Sequence, residues 1–168
     1  MRRPMLSGAM LVLLSSALAA QGGTAAPAAP AKAPALKWGP APAVFAHGAQ
    51  MAVVSGDPSK AENFVIQLKM PNGYKIAPHF HPTDETVEVK SGKFMYGMGD
   101  TMKAADMKTM DVGQSGTLPA GSHHYAQAKG ATVVQVSAMG PFALTYVNPA
   151  DDPSKAPMKA TKAPAKSR

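Results

Sequence analysis

The middle of this 168-residue chain is predicted to be all-β, on three observations. Apolar runs of about five to eight residues recur at roughly ten-residue spacing, clusters of Gly, Pro, Asn, Asp and Ser separate them, and only residues 101–110 carry a helical pattern, a weak one. That pattern indicates a sandwich or a closed barrel.

The elements follow in order. Residues 50–55 (QMAVVS) stop at Gly56-Asp57-Pro58, and residues 64–70 (FVIQLKM) stop at Pro71-Asn72-Gly73. Candidate strands then cover 74–81, 85–90 closed by Ser91-Gly92, and 93–98 closed by Gly99-Asp100. Four more cover 116–119, 124–128, 132–137 and 142–147.

Outside this region the composition changes. Residues 1–20 read as a cleavable secretory signal, with Arg2 and Arg3 ahead of an apolar stretch and Ala17-Leu18-Ala19 as the cleavage site. Its apolar stretch falls short of the roughly 20 residues a membrane-spanning helix needs. A soluble periplasmic or secreted protein is therefore expected. Residues 21–43 form an Ala/Pro-rich linker and 151–168 a basic Lys/Ala/Pro tail, both too poor in large apolar residues to bury a core. The expected division is signal 1–20, linker 21–43, β-domain 44–150 and tail 151–168.

Charge excludes one class of partner. The formal net charge is +7, but nine of the 17 basic residues lie in the terminal segments. Residues 38–153 hold 8 lysines against 10 acidic residues, a net of −2, and no arginine. Such a domain is a poor phosphate-binding surface, so nucleic acid is not expected as a partner. With no cysteine, disulfides, thiolate nucleophiles and Cys-held zinc or iron–sulfur sites are excluded.

The five histidines are the informative residues. His79 and His81 are two apart, so in a strand both imidazoles leave one face while Phe80 leaves the other. Glu85 follows the Pro82-Thr83-Asp84 turn, and His124 follows Pro119-Ala120-Gly121. Three imidazoles and a carboxylate make a mixed N/O site suited to one divalent transition metal: iron, manganese, nickel, copper or zinc. The plain alternative is ordinary strand histidines, and for Glu85 a surface carboxylate beside a three-histidine site. His123 is expected to face away from His124, His47 to be an ordinary surface group, and Glu88 to point outward. Phe94 and Tyr96 could line the barrel, most simply as core filling.

The spacing has a family likeness. Gly73, five residues, His79-Phe80-His81, three residues, Glu85, six residues, Gly92 resembles the first cupin motif at every fixed position. Gly113, five residues, Pro119-Ala120-Gly121, two residues, His124 resembles the second, departing where Ala128 replaces a common Asn. The run from Pro71 to Glu85, with Gly97-Met98-Gly99-Asp100 and the stretch from Tyr146 to Pro153, is similar to exported single-domain bacterial cupins without an assigned reaction. The resemblance implies a single jelly-roll barrel across residues 44–148 with a metal at the positions of His79, His81, Glu85 and His124. Cupins include dioxygenases, decarboxylases, isomerases, sugar-binding modules and storage proteins, so the likeness stops short of a substrate.

Two classes of function remain open. As an enzyme, a dioxygenase-type oxidoreductase would use the metal's open positions on a small neutral or phenolic molecule, with Glu85 as ligand or base. Without arginine a dicarboxylate substrate is disfavoured. As a binding module, the site would sense or sequester a metal or small ligand. Met95, Met98, Met102, Met107 and Met110 add a copper-binder variant, because thioethers select Cu(I). Covering strand edges predicts a homodimer.

Overall fold

In the computed structural model, which describes residues 35–155, nine strands form one curled antiparallel sheet. The predicted signal, most of the linker and the tail from residue 156 onward lie outside the described residues. Among the described residues, no helix is long and apolar enough to cross a membrane.

The strands are β1 (Gly39–Pro40), β2 (Gln50–Ser55), β3 (Asn63–Met70), β4 (Lys75–Phe80), β5 (Glu85–Met98), β6 (Lys108–Met110), β7 (Ser115–Leu118), β8 (His124–Met139) and β9 (Thr145–Tyr146). Burial alternates with period 2 along the strands. In β3, Phe64, Ile66, Leu68 and Met70 are buried while the residues between them are exposed or half-buried. Burying each such side chain stabilises the fold by about 1.5–3 kcal/mol.

Two long strands organise the barrel. β5 pairs with β8 from Glu85↔Ala138 to Met98↔His124. The far edge of β8 is divided, with β3 along residues 132–139 and β4 along 124–127. The far edge of β5 is divided likewise between β7 and β6. Glu85 and His124 thus stand at opposite ends of the β5–β8 ribbon, which would be about 40 Å long if flat. Their side chains nevertheless meet at 3.5 Å, so the ribbon is rolled on itself.

Here the structure departs from the reading of residues 85–90 and 93–98, and of 124–128 and 132–137, as separate strands. Ser91-Gly92 does not close a strand; it is a bulge inside β5, where the register against β8 shifts twice. Gly92 sits at φ +76°, and a Cβ there would lie 2.4 Å from the Ala131 carbonyl oxygen. Glycine bends the ribbon without ending it. The weak helical reading of 101–110 also yields: only a short 3₁₀ turn, Ala104–Asp106, forms before β6.

Candidate metal centre

His79 is the last but one residue of β4 and His124 the first of β8, and they face each other directly across the ladder. A register shift between Ile76 and His79 turns both inward, although they are three apart. The two rings lie 4.2 Å apart between centroids. His81, two residues on, reaches the same face, 5.1 Å from the His79 ring and 5.4 Å from that of His124. The turn before His124 is fastened there by the Gly121 N–H, which donates to the His81 carbonyl at 2.8 Å.

All three histidines are buried, with potential ligand atoms within 4.8 Å of one another. Each Nδ1 lies against a backbone carbonyl: His79 on Ala77 at 2.7 Å, His81 on Ala143 at 2.7 Å and His124 on Ser122 at 2.9 Å. A carbonyl only accepts, so Nδ1 carries a proton, and in the neutral ring Nε2 is left as a lone pair. Burial, then the neighbouring imidazoles of His124 and His81, holds His79 well below the ordinary histidine range despite the opposing hydrogen bond to Ala77.

Glu85, buried at the start of β5, places Oε2 3.5 Å from Nε2 of both His81 and His124. It stands outside the tight group formed by the three imidazoles. His81 Nε2 is buried and has no hydrogen-bond partner. Neutral imidazole lone pairs facing a carboxylate are acceptors facing acceptors, and a cation between them resolves that arrangement. The donor set therefore fits a metal held through Nε2 atoms, with the Nδ1–H···O=C bonds fixing the ring orientations.

The remaining singled-out residues separate clearly. His123 faces away from the centre: its Nδ1 lies 2.5 Å from Asp100 and its ring stacks on Phe80 at 5.0 Å. His47 is exposed, and Glu88 pairs with Lys90 at 2.9 Å. The five methionines do not share a face, because Met110 lines the interior whereas Met95 lies between the inward residues Phe94 and Tyr96 and so faces out.

The centre opens into a cavity of about 90 Å³, lined by strands β3 to β8 and by Phe45, Phe142 and Leu144. No lysine or arginine lines it. The carbonyls of Ala77, Ala143 and Ser122 have no sequence signal, since every residue has one. Phe142, whose ring lies 6.0 Å from those of His81 and Phe45, was legible only as part of a candidate strand.

Solved structures share this fold. A polyketide cyclase, RemF, from Streptomyces resistomycificus matches over 71% of this chain and 84% of its own at 16% identity, with a TM-score of 0.56. A protein provisionally assigned as an acetylacetone dioxygenase, from Methylibium petroleiphilum PM1, matches over 69% and 78% at 24% identity, with a TM-score of 0.54. An RmlC-like cupin from Shewanella frigidimarina NCIMB 400 matches over 55% and 76% at 16% identity, with a TM-score of 0.47.

This is the cupin fold. No protein-family profile matches the sequence, nor does any curated protein. At these identities the likeness is one of fold. Within the cupin barrel, the two motifs put His79, His81 and His124 at one point and Glu85 at its edge.

Proposed function

We propose that this protein is an exported mononuclear metal-binding cupin that takes up a small neutral or phenolic molecule beside the metal. The convergence of three Nε2 lone pairs, each set by an Nδ1 bond to a backbone carbonyl, carries this reading. His79, His81 and His124 would hold the metal, and Glu85 would complete or border its ligand set. When bound, a divalent transition metal supplies Lewis-acid polarisation of a ligand oxygen and, if iron, manganese or copper, redox capacity.

The chain's own groups do the rest. The three carbonyls keep the imidazoles in one tautomer, so no proton must leave Nε2 before binding. Glu85, buried and within 3.5 Å of two imidazoles, is placed to take a proton from a ligand hydroxyl. The apolar walls exclude water and offer no counter-charge to a carboxylate, which supports a neutral ligand over an oxalate-like one.

Turnover as a dioxygenase is the enzymatic form of this proposal; metal or ligand sensing without turnover is the binding form. Facing of Met110 and Met95 to opposite sides favours packing over a methionine copper site. Oxygen uptake by iron-loaded protein with diols, diketones and phenols separates the two forms. Consumption with one of them supports the enzyme, and none across the panel with full metal loading supports the binding module.

A further inference from the structure

Tyr96 lines the cavity, and its hydroxyl has no hydrogen-bond partner among the described residues. The chain has four tyrosines, and three of them donate to backbone carbonyls: Tyr74 to Ala46 at 2.7 Å, Tyr146 to Val44 at 2.8 Å and Tyr125 to Lys103 at 3.3 Å. Among the described residues Tyr96 makes no such bond, yet it is half-buried and lines the cavity. Thr117 also borders the cavity, but its hydroxyl is turned to the outer face, where it pairs with Thr86 at 2.9 Å.

Its position in the ladder relates it to the centre. Phe94, Tyr96 and Met98 of β5 stand opposite Ala128, Ala126 and His124 of β8. Phe94 and Ala126 both line the cavity, so this is the inward face, and Tyr96 is the diagonal neighbour of His124. Diagonal pairs lie about 7–8 Å apart on one face, close enough for one small molecule to touch both. Ala126, a methyl group opposite the tyrosine ring, leaves space there.

Resting on the metal reading above, we propose that the Tyr96 hydroxyl is the second polar anchor of the site. The ligand class is then a compact, largely apolar molecule with two oxygen functions, one taken at the three-histidine centre and one hydrogen-bonded by Tyr96. A ligand with a single oxygen forgoes the hydrogen bond to this hydroxyl, which costs affinity. Tyr96 acts here as a specificity residue.

The test uses cobalt(II)-loaded full-length protein under argon, with phenol, resorcinol and hydroquinone as probes and the cobalt absorption bands and calorimetry as readouts. Wild type is expected to bind a diol more tightly than phenol. Tyr96→Phe should remove that preference by about five- to tenfold, the worth of one hydrogen bond, with phenol and cobalt affinities unchanged. A preference that survives Tyr96→Phe, equal weakening of all three probes, or no preference in wild type overturns the proposal. Ala126→Val keeps the hydroxyl and fills the space opposite it. It should weaken all three probes without altering the cobalt bands, and unchanged diol binding there overturns the proposal as well. Failure of cobalt to bind, seen before any phenol is added, would instead sink the metal reading and this inference with it.

Discussion

At the three imidazoles, Nδ1 decides what Nε2 can do. Because each Nδ1 is committed to a carbonyl within 2.9 Å, a neutral ring at each position turns a bare Nε2 inward, and the rings are already oriented for a cation. Replacing any one of His79, His81 or His124 with alanine should abolish stoichiometric metal binding while far-UV circular dichroism still reports the barrel. Glu85→Gln should weaken metal about ten- to a hundredfold and not abolish it, since the carboxylate borders the group; calorimetry with cobalt or zinc measures this. pH acts through His79, whose folded value lies well below 6.5, chiefly because it is buried. Below pH 6.5 the unfolded chain accepts a proton that the native ring refuses, so stability is full above 6.5 and falls as pH drops towards the native value. The slope is at most about 1.4 kcal/mol per pH unit for one group. Melts of chelator-treated protein at decreasing pH should show this fall, and a rise on acidification would contradict it. Metal affinity should fall in the same direction, because protons compete for Nε2. All four of these residues were legible beforehand, because ligand chemistry demands particular residue types at particular spacings. Their backbone partners were not, because a carbonyl belongs to every residue alike.

Among the elements, the segment ahead of β2 is fastened to the barrel by two hydroxyls. Tyr74 of the turn before β4 donates to Ala46, and Tyr146 of β9 donates to Val44. Removing either by Tyr→Phe should cost about 1 kcal/mol in chemical denaturation. Burial pushes both phenols up to about 12 from an ordinary 10. Their contribution is therefore full below pH 10 and lost as pH rises through 12, so the stability gap between wild type and the double Phe variant should narrow over that range in denaturant titrations. The bulge at Gly92 is the other critical joint. Gly92→Ala places a methyl group against the Ala131 carbonyl at a positive φ, and should cost more than about 2 kcal/mol. This joint also explains the strand miscount. Ser-Gly at 91–92 and Lys-Gly at 129–130 carry the composition of a turn, and composition alone does not distinguish a turn that reverses the chain from a bulge that bends a strand continuing to Met98 or Met139. The strand at β3 was legible because its apolar run and closing turn are local; the cavity was not, because it depends on which residues of β5 meet which of β8.

For the whole molecule, rolling of the β5–β8 ribbon brings Glu85 to His124 and encloses the cavity between them. A metal bound at that junction links the two ends of the ribbon, so loading should raise the melting temperature in proportion to RT ln(1 + [M]/Kd). On β2, only Gln50 and Met51 are paired by β1, while Val53 and Val54 are exposed. We propose a homodimer that covers this edge, for which light scattering should give twice the monomer mass and Val53→Lys a monomer. The central claim is the metal. The most direct measurement is elemental mass spectrometry on the protein purified without a histidine tag or chelator. The account predicts about one equivalent of iron, manganese, nickel, copper or zinc, lost in the His79→Ala, His81→Ala double variant. No metal as isolated and none after reconstitution, or metal retained in that variant, would contradict it.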